Sequence, residues 1–225
     1  MESIKSHRLH PALLITIAIL AVFAVTSRYG VTEDQGRLPG ARARIDAQDY
    51  PSIQAALDAV PPEGGMIVIP SGTFEISEPL KITGSDVTLI GCGSSTVLKN
   101  INEQGAPTIL VADPELQDAA SDGNHNLWRI RIADIRLTGN EKSGSGIVAK
   151  RVNEIFVQGV TVSYHGGDGI RLDHCYEDPR VSDSLITYNK GTGLALLGCH
   201  DIIVSANQFE ENNDALHCYD GFNLT

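Results

Sequence analysis

Basic charge is scarce in this sequence. Among 225 residues, 17 Lys and Arg face 28 Asp and Glu, a formal net charge of −11. That deficit argues against nucleic acid and anionic membrane surfaces as partners. It would also repel a polyanionic glycan unless a local basic patch or a bound cation intervenes. Long apolar runs are equally rare. The one that occurs, the 16 residues from Pro11 to Thr26, is preceded by Lys5 and Arg8 and followed by Arg28. It falls short of the roughly 20 residues that a membrane span needs. Residues 1–28 therefore read as a signal peptide, with Val22-Phe23-Ala24 as a cleavage site, or as an uncleaved N-terminal anchor. Either way the folded part is expected to be exported: secreted, periplasmic or at the cell surface. Removing those residues takes away Lys5, Arg8, Arg28 and Glu2, so the 17 and 28 charged residues become 14 and 27. Residues 29–44, rich in Gly, Pro and Arg from Arg37 onward, read as a linker. No Cys-x-x-Cys or His-x-x-x-His pair occurs, which argues against a zinc site built from His174, Cys175, Cys199, His200 and Cys218.

What the sequence does have is a period. From Trp128 onward it repeats every 23 to 25 residues. Ile130, Ile155, Pro179, Ile202 and Leu224 form one column of the repeat. Ile132, Val157, Val181 and Val204 form a second, and Leu137, Val162, Ile186 and Phe209 a third. A polar column follows, Asn140, His165, Asn189 and Asn212, and then a Gly leading into pairs such as Ile170-x-Leu172 and Leu194-x-Leu196. Self-similarity at this period marks stacked units, each burying its apolar face only against its neighbours. Within each copy the apolar residues alternate over stretches too short for helices. Gly, Asn, Asp and Ser separate three such stretches per copy. The Leu-x-x-Leu-x-Leu-x-x-Asn signature of leucine-rich repeats is absent. The reading is an all-β fold, a right-handed single-stranded parallel β-helix with three short strands per coil and an N-terminal capping helix. Stacked amides of the polar column are expected to satisfy backbone groups along the axis.

The first half supports this from another direction. Asp49-Tyr50-Pro51-Ser52 opens a short helix, with Asp49 as N-cap and Ile53, Ala56, Leu57 and Val60 on one face. Pro61-Pro62 stops it, and three strand-like runs follow, Met66–Ile69, Thr73–Ile76 and Val87–Ile90. The segments Ser52-Ile53-Gln54-Ala55-Ala56-Leu57, Gly64-Gly65-Met66-Ile67-Val68-Ile69-Pro70-Ser71-Gly72-Thr73-Phe74 and Val87-Thr88-Leu89-Ile90-Gly91-Cys92-Gly93 resemble the N-terminal cap and first coils of the pectate-lyase-like superfamily. The match is to the branch grouped with rhamnogalacturonases and epimerases, and it covers about residues 45 to 225. It implies the fold; the matched positions are cap, turn and core residues, not catalytic ones. One domain is expected over 45–225: cap and first coils 45–111, an insertion loop 112–126 that overhangs the groove or is simply solvated, and regular repeats 127–225. Four cysteines in an exported chain suggest disulfides. Yet Cys175 and Cys199 share a column with Val152, and Cys218 falls in that of Leu172 and Leu196, which suits small buried apolar residues. A Cys175–Cys199 bridge between adjacent coils stays open as the alternative.

The strand after each Gly carries the candidate chemistry. If Ile170 and Leu172 face in, then Arg171 and Asp173 face out, as do Lys150, His217 and Tyr219, with Asp168 and Asp214 in neighbouring turns. The resemblance implies polysaccharide binding along such a face. A lyase or epimerase needs a base beside a uronate carboxylate and a cation to neutralise it, roles open to Arg171, Lys150 and His217. A hydrolase needs two carboxylates, and Asp168 with Asp173 or Asp214 are the candidates. No signature assigns these roles, so catalytic residues are not named. Gly166-Gly167-Asp168-Gly169 echoes the calcium-binding nonapeptide of other β-helices, but Arg171 stands where an Asp is required. No cofactor is evident, and calcium has no motif behind it. Asp178-Pro179-Arg180 is similar to the Asp-Pro-His of alginate epimerases without its His, and Asp220-Gly221-Phe222 to the Asp-Gly-Phe of polygalacturonases without their later elements. Two functions are weighed: an exported enzyme acting on an acidic polysaccharide, by lyase or C5-epimerase chemistry before hydrolase, or a non-catalytic glycan-binding or structural module. Polysaccharide is the expected partner, with membrane contact only through an uncleaved N-terminus. The last copy stops in mid-coil, since the residue matching Val204 would be number 226. The chain is thus expected to be a truncated form of a longer β-helix that self-associates through its C-terminal coil edge.

Overall fold

The computed structural model describes residues 38–116 and 125–225. The chain divides after Ala41 into two units. In the first, Met1–Ala41, the described residues form one turn, closed by the Ala41 N–H donating to the Leu38 carbonyl. The expected signal or anchor segment lies outside the described residues, as do positions 117–124 of the expected insertion. No helix among the described residues is long and apolar enough to cross a membrane.

The second unit, Arg42–Thr225, is a stack of coils whose strands line three walls. Wall one holds β1 (Ala43–Asp46), β2 (Gly65–Val68), the starts of β5 (Val87–Asn100) and β7 (Leu127–Thr138), β9 (Val152–Gln158), β12 (Arg180–Ser182) and β15 (Ile203–Ser205). Wall two holds β3 (Gly72–Ile76), the ends of β5 and β7, β10 (Thr161–Ser163), β13 (Leu185–Thr187) and β16 (Gln208–Glu210). Wall three holds β4 (Leu80–Ile82), β6 (Ile109–Val111), β8 (Ile147–Lys150), β11 (Ile170–Asp173), β14 (Thr192–Leu197) and β17 (Asp214–Tyr219). Because β5 and β7 run through the corner, walls one and two form a single eleven-stranded sheet, and wall three a six-stranded one, among the described residues. Pairing is parallel throughout, with each strand beside its counterpart one coil away.

The sequence columns are the register. Ile132 lies beside Val157, Val157 beside Val181 and Val181 beside Val204. Ile147, Ile170, Leu194 and Leu216 run up wall three in the same way. Ile132, Val157, Val181, Ile147, Ile170 and Leu194 are fully buried, each worth about 1.5–3 kcal/mol of apolar transfer. In the last coil Phe209 and Leu216 are half-buried.

Corners are made by single residues with positive φ. Asp134, Asp183 and Ala206 turn wall one into wall two; Tyr164, Tyr188 and Glu211 turn wall two into wall three; Arg151, His174 and Asp220 leave wall three. A left-handed non-glycine residue costs on the order of 1–2 kcal/mol. It persists because the ladders on both sides over-determine it.

Polar residues at the second corner satisfy the backbone as the repeat implies. Asn189 Oδ1 accepts from the His165 N–H (3.1 Å) while its Nδ2 donates to the Val162 carbonyl (3.2 Å). Asn212 does the same one coil on, for the Asn189 N–H (3.0 Å) and the Ile186 carbonyl (2.8 Å). His165, which takes the place of an Asn, instead reaches past one coil. Its Nε2 lies 2.9 Å from Thr108 Oγ1, which also accepts from Asn100 Nδ2 at 3.1 Å.

Three expectations are corrected: the helix cap, the end of the linker and the burial of Cys218. The helix α1 (Ile53–Asp58) is capped by Ser52, whose Oγ accepts from the Ala55 N–H, while Asp49 ends a preceding 3₁₀ turn, Ala47–Asp49. The expected linker ends early, since β1 pairs Ala43 and Arg44 with Gly65 and Met66. The four cysteines are free, and the Cys175 N–H points at Cys199 Sγ (3.3 Å). Burial of Cys175 raises its thiol well above the ordinary range, so it stays protonated as an apolar core residue. Cys218, although in the Leu172 column, is exposed because β17 is the last strand.

Candidate functional site

The outward positions of wall three lie in two rows. One runs Lys81, Leu110, Val148, Arg171, Ala195, His217. The other places Lys150 beside Asp173, then Leu197 and Tyr219. Alternation along each strand dictates this, with Ile170 and Leu172 buried on either side of Arg171.

Four of the seven sequence candidates come together. Arg171 sits between two carboxylates, Nη1 3.8 Å from Asp168 and Nη2 3.9 Å from Asp173, with Lys150 on the strand beside Asp173. Asp168 is also tied to the scaffold, its Oδ1 accepting from the Thr192 N–H (2.9 Å). The other three do not join. His217 and Tyr219 are two strands from Arg171 and Asp173, roughly 9.6 Å at the usual strand spacing. Asp214, at the start of β17, is likewise two strands from Asp168 and takes a hydrogen bond from Asn213. Asp168 and Asp173, the hydrolase pair of this cluster, thus flank the same guanidinium.

The corner leaving wall three adds residues that the alternation pattern did not single out. Asp173 Oδ1 accepts from His174 Nδ1 at 2.7 Å, which fixes the imidazole and leaves Nε2 as the free nitrogen. The ring rests on Gly198. A Cβ there would meet His174 Nε2 at 2.8 Å, and Gly198 itself has φ +58°. Tyr176 lies edge-on to His174, ring centroids 6.4 Å apart, and stacks on His200 at 4.3 Å, which stacks in turn on Phe222 at 4.6 Å. Burial raises the Tyr176 phenol above its ordinary value, with Arg151 close enough to oppose the shift. A second Asp–His pair repeats one coil on, His200 Nδ1 to Asp201 Oδ2 at 2.7 Å. Asn223 and His200 together hold the Asp201 carboxyl below its usual range. Arg151, buried beneath the corner, donates to Asn126 Oδ1 (3.4 Å). Among the described residues no group of three or more His, Cys, Asp or Glu side chains is placed to hold a metal ion. The available signal was the adjacency of Asp and His in Asp173-His174 and His200-Asp201, one coil apart.

Residues 80–225 match the family model for the right-handed β-helix region. The chain belongs to that family, and its fold is of the pectate-lyase-like kind. Among solved structures it is similar to the A-module of mannuronan C-5 epimerase AlgE4 from Azotobacter vinelandii, at 19% identity and a TM-score of 0.62, over 81% of this chain and 59% of that one. It is also similar to ORF18 of Geobacillus virus E2, at 17% identity and a TM-score of 0.60, over 91% of this chain and 44% of that one. The AlgE6 A-module of the same Azotobacter follows at 19% identity and a TM-score of 0.52, over 76% of this chain and 58% of that one. The chain thus spans about half the length of the structures it matches. At these identities the likeness shows the fold alone. No curated protein matches by sequence.

Proposed function

We propose that this protein is an exported carbohydrate-active β-helix that acts on a uronate-bearing polysaccharide by lyase or C5-epimerase chemistry. The observation that carries the reading is an imidazole held by a carboxylate beside a cation and a protonated phenol: His174 on Asp173, with Arg171 and Tyr176 adjacent. Proton abstraction next to a carboxylate needs those parts. Arg171, with donors left over from its two acidic neighbours, and Lys150 neutralise the uronate carboxylate and so acidify the neighbouring C–H. His174 Nε2 takes that proton, with Asp173 stabilising the imidazolium. Tyr176, which burial keeps protonated, supplies a proton to the leaving oxygen in elimination, or to the opposite face of the carbanion in epimerisation. Export, expected from the apolar N-terminal segment, places the protein with polymers outside the cell.

The test is incubation with pectin and alginate, with and without calcium, following absorbance of new unsaturated uronate and deuterium uptake at C5. His174→Gln and Arg171→Gln should each lower turnover by about 10²–10⁴-fold. No turnover on any uronate polymer would leave the non-catalytic glycan-binding reading in its place, and full activity in His174→Gln would take His174 out of the chemistry.

A further inference from the structure

Beneath the corner that leaves wall three lies a pair of side chains that the chemistry above does not use. Cys175 and Cys199 are neighbours in one inward column, with Val152 on one side and Gly221 on the other, as the bridges Asn153 to Tyr176 and His200 to Phe222 and the His200 N–H to the Cys175 carbonyl place them. Cys175 is 0% exposed and Cys199 2%. The Cys199 sulfur is turned toward the Cys175 coil, 3.3 Å from the Leu172 carbonyl and 3.3 Å from the Cys175 N–H. The Cys175 sulfur is turned the same way, onto the Ala149 carbonyl one coil further, at 3.7 Å. Rotation of the Cys175 side chain off that long contact turns its sulfur toward the other. Neighbours one strand apart, roughly 4.8 Å, fall within the Cα separation that a disulfide spans.

Each cysteine stands between two residues of the corner. His174 and Tyr176 flank Cys175, and Gly198 and His200 flank Cys199. The flanking residues meet across the coils: the His174 ring rests on Gly198, and Tyr176 stacks on His200 with ring centroids 4.3 Å apart. A disulfide needs its two Cβ atoms about 3.8 Å apart, about 1 Å less than the strand spacing, so closing it draws the two strand ends together. The space over Gly198 has no room to give, since a Cβ there would already lie 2.8 Å from His174 Nε2. Closure therefore pushes the imidazole off Gly198 and away from the Asp173 carboxylate that holds it at 2.7 Å. The same strain makes such a bond easy to reduce.

We infer that Cys175 and Cys199 are a reversible oxidation site, which a small peroxide closes to a disulfide between adjacent coils and which displaces His174 when closed. The site rests on these contacts; only its effect on turnover rests on the proposed function. Cys199 reacts first. Contact with the Cys175 thiol holds the Cys199 thiol below its ordinary range, while burial holds Cys175 above it. Gly221 covers Cys199 without a side chain of its own, where Val152 covers Cys175, so a water-sized oxidant approaches from that end. The Cys199 thiolate attacks the O–O bond of hydrogen peroxide, forming a sulfenic acid and releasing hydroxide, which the Cys199 proton converts to water. The Cys175 sulfur then displaces the sulfenic hydroxyl, which leaves as water with the Cys175 proton, and the S–S bond forms. Both sulfurs are oxidised by one electron each, and the peroxide is reduced to water.

Mass spectrometry of the full 225-residue chain treated with hydrogen peroxide tests this, in a Cys92→Ser, Cys218→Ser background that leaves only the buried pair. The intact mass should fall by two hydrogens, the cross-linked peptides should be those of Cys175 and Cys199, and dithiothreitol should restore the starting mass. Isotope-edited NMR of the histidine side chains should show the His174 ring shifting on oxidation and returning on reduction. Turnover of a uronate polymer should fall by about ten-fold to 10²-fold, the scale of a reacting group misplaced by about 1 Å. Cys175→Val, which repeats the Val152 of its own column, and Cys199→Ser should each remove the cross-link and both responses. No Cys175–Cys199 cross-link under peroxide, a cross-link that leaves the His174 resonances in place, or a Cys175→Val variant that responds like its parent would each overturn the inference. Cross-link and ring shift in a protein without turnover would uphold the site and sink the proposed chemistry. Turnover that peroxide leaves unchanged, with no cross-link, would do the reverse.

Discussion

Acid should destabilise this protein through one buried ring. His165 is fully buried, and its two nitrogens have defined jobs. Nε2 lies 2.9 Å from Thr108 Oγ1 and Nδ1 lies 3.3 Å from Asn189 Oδ1. The Thr108 hydroxyl already accepts from Asn100 Nδ2, so its own proton goes to Nε2, and Nδ1–H donates to Asn189. That assignment is the neutral imidazole, and protonating Nε2 would set two donors against each other. Burial accordingly lowers the pKa from 6.5 to about 4, with the Asn189 contact opposing only in part. The unfolded chain therefore binds a proton near pH 6.5 that the folded chain refuses until about pH 4. Stability is complete above 6.5 and falls as pH drops towards 4. At about 1.36 kcal/mol per unit, the shift corresponds to roughly 3 kcal/mol. Urea unfolding from pH 7.5 to 4 reads it directly. His165→Asn is the informative variant, because Asn189 and Asn212 show that an amide fits this column. It should cost roughly 1–3 kcal/mol at neutral pH, through the orphaned Thr108 hydroxyl, and should lose the histidine part of the pH dependence. Carboxylates titrating in the same range act on both proteins and cancel in the comparison. Parallel pH profiles for wild type and His165→Asn would refute the reasoning.

Other consequences follow from the same geometry. Val181→Asp puts an unpaired carboxylate into a fully buried column and should cost several kcal/mol and abolish soluble expression, whereas the outward Arg171→Ala should stay within about 0.5 kcal/mol; equal expression yields and melting curves would contradict the inward and outward assignment. Gly198→Ala adds a Cβ in left-handed backbone against His174 Nε2, so it should cost about 1–2 kcal/mol and cut turnover of a uronate polymer far more than binding. Kinetics showing an unchanged kcat would mean that His174 has no part in the chemistry.

How much was legible in the sequence depends on which force each residue answers to. Burial is periodic in this fold, so Ile132, Val157 and Val181 recur at the coil length and could be aligned without coordinates. Stacking sites recur for the same reason, and the ladder through Asn189 and Asn212 was readable from spacing alone. Residues facing solvent are under no such rule. Arg131, Phe156 and Arg180 occupy the middle of the very apolar-x-apolar triplets used to find the repeat, yet they differ from coil to coil and carry no period of their own. Wall three fared better because its outward residues were sought by alternation; alternation, however, gives a face and not a distance. That is why Lys150, Asp168, Arg171 and Asp173 prove to be neighbours while Asp214, His217 and Tyr219 on the same wall lie two strands away. Likewise, composition favoured Asp49 as the helix cap, and only the chain path placed the Ser52 hydroxyl on the Ala55 N–H.

Sequence by itself determined the stacked parallel coil, its inward columns and the sign of its overall charge, because hydrophobic burial and backbone satisfaction repeat with the chain. Tertiary structure alone decided the corner that leaves wall three. His174 meets Asp173 and Tyr176 only because its own backbone is left-handed and Gly198 leaves room for its ring one coil away. The sign of φ at a non-glycine residue is set by the ladders stacked on either side of it, and no local pattern of residues records that.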